Sequence, residues 1–298
     1  MEKNLNIINT NLFKNWINKI SNRTLNSLFR LDEKVIVVTG ASGLLGRKHV
    51  EAIAAYGGIP ILLDLSQQAV EVLADQLKQK YGVKAAGFSV DITNEKQIEQ
   101  NCIVLIKKYG KIDWLVNNAA NNPKVEDSNN TNFSRLENFP INSWNKDISV
   151  GLTGSFLCAK HYGHEISKNP NGGSIVNISS DLGLIAPDQR LYSKSGLPEN
   201  QQSVKPITYS VVKTGLIGLT RYLSTYWAKK NVRCNAMCPG GVENDQPNDF
   251  IREVSSRIPM NRMAQVNEYQ GTLIWMLSDA SSYLNGAIIP VDGGRSAW

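Results

Sequence analysis

Short apolar runs alternate along the chain with longer stretches whose hydrophobic positions recur every three to four residues, and glycine or polar clusters separate the two. Val35-Ile36-Val37-Val38 has the composition of a strand buried on both faces; Thr39-Gly40-Ala41-Ser42-Gly43-Leu44-Leu45-Gly46 follows as a turn, and an amphipathic helix continues through Tyr56. A second strand, Ile59 to Leu63, ends in Asp64. Ile112 to Val116 and Ile175 to Ile178 repeat the strand pattern, while helical periodicity follows Ser143 and Ile207. This alternation predicts an α/β fold: a doubly wound three-layer sandwich, with a mostly parallel sheet between helices and a ligand at the carboxyl ends of the strands.

Residues 1–30 stand apart. Leu12, Phe13, Trp16, Ile17 and Ile20 share one side of a predicted helix, flanked by Lys14 and Lys19. The segment holds five basic residues and one acid, so four of the chain's six net positive charges lie there; the rest carries 27 basic against 25 acidic residues. An amphipathic arm packed on its own or a neighbouring subunit is the expectation, with a membrane-surface or partner-docking helix as the alternative. With the arm set aside, the charge excess is too small to indicate nucleic acid, and no nucleic-acid motif accompanies it.

The 298 residues fit an N-terminal extension, 1–30, and a single domain, 31–298. No repeat, long linker or bilayer-length apolar run interrupts the pattern, and the polar start is unlike a secretory signal, so a cytoplasmic location is expected. Cys102, Cys158, Cys234 and Cys238 lack metal-ligand spacing and read as reduced packing thiols, with Cys238 directly before Pro239-Gly240. His49, His161 and His164 form no metal motif, so no metal is expected; the latter two read as surface or interface groups.

The candidate chemistry begins with Tyr209 and Lys213, four residues apart on one helix face. A fixed ammonium beside a phenol favours the phenolate and makes proton exchange with a substrate hydroxyl feasible near neutrality. The glycine turn, opening a helix after a strand, is suited to a pyrophosphate, whose charge is met by free N–H groups and the positive end of the helix dipole. Asp64, about twenty residues beyond the turn, can accept hydrogen bonds from a ribose diol and would repel a 2′-phosphate. No Arg or Lys follows in Leu65-Ser66-Gln67-Gln68, so NAD is expected before NADP, with Arg47 the nearest alternative cation.

From about Lys34 to Gly294 the chain resembles the short-chain dehydrogenases/reductases, in the single-domain branch. The resemblance rests on the glycine turn, Tyr209 and Lys213, Asp91-Ile92-Thr93, Asn117-Asn118-Ala119-Ala120, Ile175-Val176-Asn177-Ile178-Ser179-Ser180, Pro239-Gly240 and Val291-Asp292-Gly293-Gly294. It implies a Rossmann-type fold and a homotetramer or homodimer built through the helices after Ser143 and Ile207. It implies that Ser180, aligned through Gly183 in preference to Ser179, holds the substrate oxygen, that Tyr209 moves the hydroxyl proton, and that Lys213 lowers the tyrosine pKa and holds the nicotinamide ribose. For the dinucleotide it implies Gly40, Ser42, Gly43, Leu44, Leu45, Gly46, Asp64, Leu65, Asp91, Ile92, Asn118, Ala119, Tyr209, Lys213, Pro239, Gly240 and Val242.

Four departures qualify the resemblance. The Thr-Gly-x-x-Gly-x-x-Gly spacing is more typical of the family's extended branch. In Trp144-Asn145-Lys146-Asp147-Ile148-Ser149-Val150-Gly151-Leu152-Thr153-Gly154, Gly151 stands where the family usually has a catalytic Asn; a glycine keeps its carbonyl for a relay water, and inside a helix it predicts local irregularity. Ser180 and Tyr209 are separated by a surplus of about 187–206, containing Asp188, Gln189, Arg190, Tyr192, Lys194, Glu199 and Asn200. Without obvious internal structure, and flanked by the two catalytic positions, it is expected to be a polar lid for a hydroxyl-rich or anionic substrate. The fourth is the arm.

The function expected is NAD(P)-dependent interconversion of a secondary alcohol and a carbonyl, on a sugar or sugar nucleotide, because the lid, turn and Val150–Gly154 run look similar to bacterial surface-sugar and flagellin-modification oxidoreductases. The alternatives are a sugar-nucleotide epimerase working through a transient keto sugar, and a dinucleotide-sensing or scaffold protein suggested by Gly151.

Overall fold

The computed structural model describes residues 24–121 and 134–298; the amphipathic arm expected over the first 30 residues lies almost wholly outside them. Seven parallel strands make one sheet: β1 Val35–Thr39, β2 Ile59–Asp64, β3 Ala86–Ser89, β4 Trp114–Asn117, β5 Gly173–Ile178, β6 Val232–Pro239 and β7 Ile288–Val291, in the order β3-β2-β1-β4-β5-β6-β7. Because both faces are covered, β1 and β2 are apolar at every position before their last residue, and successive residues feed opposite layers. Ile36 and Val38 pack with the helices α1 (Leu44–Ala55), α2 (Gln67–Tyr81) and a late helix, Gln270–Leu277. Val35 and Val37 pack with α3 (Glu95–Tyr109), α4 (141–166) and α5 (Ile207–Tyr226). The remaining helix of note, Asn248–Ser255, which lies between β6 and the late helix, belongs to a separate small cluster.

Helix boundaries follow local chemistry. Ser66 and Asn94 cap α2 and α3 through side-chain oxygens, and Gly82 and Gly110 end the same helices in left-handed conformation. The strand order reverses between β1 and β4, and the crevice at that switch point is where the site lies.

The irregularity expected at Gly151 is present. Helix α4 widens into a π-helical turn over Ser149–Thr153, and again over Ala159–Gly163. The position is also closed to a side chain: a Cβ on Gly151 would sit 2.4 Å from Val212 Cγ1, so α5 already fills that space. The Gly151 carbonyl accepts a hydrogen bond from Ser155 Oγ at 2.9 Å.

All four cysteines are free and buried. His161 pairs with Glu95 at 3.0 Å across α4 and α3. His49 is fully buried in α1, and neither ring nitrogen has a hydrogen-bond partner among the described residues. No helix among the described residues is long and apolar enough to cross a membrane, and none of their His, Cys, Asp or Glu side chains group as a metal site.

Candidate active site

A cleft of about 670 Å³ runs along the carboxyl ends of β1, β2, β4, β5 and β6, within the size range of cofactor sites. Every residue expected at the dinucleotide lines it except Gly46. Gly46 acts from behind: a Cβ there would lie 2.1 Å from the Gly40 carbonyl, so only glycine lets α1 start this close to the turn. Gly40 has φ +62°, and its missing side chain admits Ala119, whose Cα lies 2.8 Å from where a Cβ would be.

The acid at the end of β2 is already organised. Asp64 Oδ2 accepts from the Ser42 N–H at 2.9 Å and Ser42 Oγ at 2.6 Å, and Oδ1 accepts from the Leu65 N–H at 2.8 Å. Acceptor capacity remains on Oδ1 for a ribose hydroxyl. Arg47 is turned to the Ser42 carbonyl, 2.6 Å from Nε, and does not line the cleft. Asn118 lines the cleft but spends its amide on the Thr39 and Gly40 carbonyls, both at 3.0 Å, so it braces the turn. Asp91 likewise caps its own turn, accepting from the Thr93 N–H and hydroxyl. The cradle fits a dinucleotide: backbone at van der Waals range around the turn, the first turn of α1 opening into the cleft, and a carboxylate at the adenosine end.

At the other end, β5 delivers Ser180 and α5 delivers Tyr209 and Lys213. Ser180 lies close enough to the Tyr209 phenol to favour its ionised form, and Ser180 Oγ donates to Asp181 Oδ1 at 2.7 Å. Ser179 Oγ is committed to the Lys213 carbonyl at 2.7 Å, which separates the two serines by role. Lys213 Nζ donates to the Ile178 carbonyl at 2.8 Å and lies 5.7 Å from the Tyr209 ring centre.

The expected lowering of the tyrosine pKa by Lys213 is not found in the free protein. Burial pushes the Tyr209 phenol up, the Ser180 hydrogen bond acting against this and Asp181 with it. Burial also pushes Lys213 itself down to about 8, so the ammonium meant to stabilise a phenolate is itself held in an unfavourable place.

Three charged residues missed from the sequence join them. Asp181 Oδ2 receives Arg295 Nη1 at 2.8 Å in a buried ion pair. Lys205 Nζ lies 4.0 Å from the Tyr209 ring centre, nearer than the motif lysine. Each had a positional signal: Asp181 follows Ser180, Arg295 follows Gly294, and Lys205 precedes Tyr209 by four, mirroring Lys213.

The surplus between Ser180 and Tyr209 is not structureless. It forms two short 3₁₀ turns, Gln189–Tyr192 and Glu199–Gln201, and Gln202 ties it internally by bonds to Lys194 and Leu197. Asp188 binds Arg257 at 2.7 Å, and Tyr192 packs on Phe250, with ring centres 6.0 Å apart. Leu191, Tyr192 and Lys205 reach the cleft; residues 193–204 do not.

A family model described as enoyl-(acyl carrier protein) reductase matches residues 40–296. The chain belongs to the short-chain dehydrogenase/reductase family. As such it is an NAD(P)-dependent oxidoreductase. Among its dehydrogenase/reductase relatives is an NADP-dependent mannitol dehydrogenase of Alternaria alternata, 32% identical over 277 residues, covering 91% of this chain and 95% of that one. An NADH-dependent L-xylulose reductase of Ambrosiozyma monospora is 30% identical over 288 residues, with 91% and 97% covered. The fold matches a gluconate 5-dehydrogenase from Burkholderia cenocepacia with TM-score 0.80 at 23% identity, covering 92% of this chain and all of that one.

Proposed function

We propose that the protein interconverts a secondary alcohol and a ketone on a polyol or sugar, with NAD preferred to NADP. The observation that carries this reading is the meeting of Ser180, Tyr209 and Lys213 at one end of a cleft whose other end carries the glycine turn and Asp64. A dinucleotide held by its pyrophosphate at the turn would supply the hydride acceptor or donor at the Ser180–Tyr209 end of the cleft. Ser180 holds the carbinol oxygen, Tyr209 takes its proton in oxidation and returns it in reduction, and Lys213 compensates the phenolate charge. Gly40, Ser42, Gly43, Leu44, Leu45, Asp64, Leu65, Asp91, Ile92, Ala119, Pro239, Gly240 and Val242 form the dinucleotide cradle, with Gly46 and Asn118 supporting its turn.

Cofactor choice follows from charge. Asp64 presents a carboxylate where a 2′-phosphate would lie, and Arg47 is bonded away from it. The relatives' polyol and sugar substrates, together with the polar wall of Lys205, Asn244 and Gln246, support a hydroxylated substrate. Exposed Phe156, Val211, Tyr222 and Tyr226 on α4 and α5 support a homodimer or homotetramer through those helices.

The purified protein, mixed with NAD or NADP and a panel of polyols, sugars and nucleotide sugars, is expected to reduce the dinucleotide with at least one polyol or sugar. Tyr209→Phe should lower turnover by about 10²-fold or more while dinucleotide binding persists. Undiminished turnover in that variant would refute the assignment, and isomer formation without net NADH would replace it with epimerisation.

A further inference from the structure

We infer that Asp147 is a positioning residue for the reaction: its carboxylate clamps the first turn of α5, which carries Tyr209, to the segment that follows β4 and walls the dinucleotide cleft. The inference rests on the alcohol–ketone reading above and adds to that site a residue acting through Thr208.

Tyr209 stands in the weakest part of its helix. Pro206 caps α5 without any side-chain hydrogen bond, and the Tyr209 N–H reaches back to the Pro206 carbonyl at 3.2 Å. The first N–H groups of a helix have no preceding turn to bond to, so a first turn without a side-chain cap frays unless tertiary contacts hold it. Thr208 supplies the hold: its buried hydroxyl donates to Asp147 Oδ2. Asp147 Oδ1 accepts from Asn121 Nδ2 at 2.6 Å, and Asn121 directly follows Asn118, Ala119 and Ala120, which line the cleft beside the glycine turn. One buried carboxylate thus joins α4, α5 and the exit of β4, and ties the group that moves the proton to the wall of the dinucleotide cleft.

Helix packing explains how so short an acid reaches its partner. Gly151 lies one turn after Asp147 on α4, and Val212 one turn after Thr208 on α5, so the two helices meet through two matched pairs. Gly151 meets Val212 with no room for a Cβ, and one turn earlier the same close approach brings Asp147 onto Thr208. Gly151, where the usual asparagine is missing, is therefore what admits the clamp. A cavity of about 10 Å³, with room for one water, is bordered by Asn121, Asp147, Gly151, Thr208, Tyr209 and Lys213, which places the clamp against the reacting pair. The carboxylate also meets the positive end of the α5 dipole, where an acid is favoured. Proton transfer needs the Tyr209 oxygen at hydrogen-bond distance from the carbinol, and a displacement of about 1 Å costs up to about a hundredfold in rate.

The test combines steady-state kinetics on the best polyol or sugar of the panel, NADH binding by fluorescence titration, and hydrogen exchange of the 207–212 amides by mass spectrometry. Thr208→Val and Asp147→Ala should each lower kcat by about tenfold or more, with KM and NADH affinity changed no more than a few-fold, and should speed exchange in the first turn of α5. Thr208→Ser keeps the hydroxyl, and Asp147→Asn keeps both bonds once Asn121 turns its amide over, so both should stay within a few-fold of the wild type. Unchanged kcat in Thr208→Val and Asp147→Ala would overturn the positioning role. So would equal losses in kcat, KM and NADH affinity, which mark a general loss of fold, or a loss in Asp147→Asn as deep as in Asp147→Ala, which marks charge and not hold. If the wild type turns over no alcohol or carbonyl, that reading fails by itself, and exchange decides the clamp: faster exchange in Thr208→Val but not in Thr208→Ser supports it, and equal exchange in the two overturns it.

Discussion

Lys213→Met should stabilise the protein in a way that depends on pH, although the lysine is proposed to compensate the phenolate charge during turnover. Burial lowers Lys213 from 10.5 to about 8. Since the folded pKa lies below the unfolded one, the unfolded chain binds the extra proton more readily. The cost is therefore complete below pH 8 and fades as pH rises through 8 towards 10.5. At about 1.4 kcal/mol per unit, it is somewhat over about 3 kcal/mol at pH 7, and about 2 kcal/mol of it is relieved by pH 9.5. Methionine removes the charge but leaves the Ile178 carbonyl without its 2.8 Å donor, a loss of about 1–3 kcal/mol that does not vary with pH. The absolute gain at pH 7 is thus small, and the informative quantity is the slope. Urea unfolding of both proteins without dinucleotide, at pH 7 and 9.5, should show the wild type gaining about 2 kcal/mol on the variant. Parallel stability curves would refute the account of Lys213 as a desolvated cation.

Four further outcomes are expected. His49, pushed by burial from 6.5 down to about 4, should make the fold lose about 2.5 kcal/mol as pH falls from 7 to 4.5, and urea midpoints of His49→Leu should be free of that loss. Gly151→Asn should destabilise by about 1–3 kcal/mol because Val212 occupies the side-chain space, and adding Val212→Ala should recover most of this in thermal melts. Asp64→Ser should shift the NADP-to-NAD ratio of kcat/KM towards NADP by about tenfold or more, equivalent to at least one lost charge contact of about 1.4 kcal/mol. Deleting Leu191 to Gln202, which removes Tyr192 and its contact with Phe250, should raise the substrate KM with NAD binding unchanged by titration; unaltered kinetics would show that the excursion is no lid.

Much of the molecule is legible in one dimension because its strands are buried on both faces and its motifs sit where strands end. Val35 to Val38, the glycine turn and Asp64 are local signals: a continuous apolar run, a backbone that needs glycine, and a carboxylate at a strand terminus. Tyr209 and Lys213 are equally local, being one helical turn apart. These local signals suffice to predict the sandwich, a cleft at the strand ends and the placement of Tyr209 and Lys213 on one helix.

What sequence could not supply is which charges face one another and which group burial overrules. Asp181 and Arg295 are 114 residues apart, and only the convergence of β5 and the chain's end makes them a pair. The vacant appearance of Gly151 is reversed by Val212 from another helix, and Asn118 turns its amide to the backbone it braces. Electrostatic neighbours and free volume depend on through-space distance and dielectric surroundings, which residue order does not encode locally. The chain therefore prescribed the framework and the chemical types at its mouth, while tertiary packing decided that two desolvated lysines, Lys205 and Lys213, stand near the Tyr209 ring.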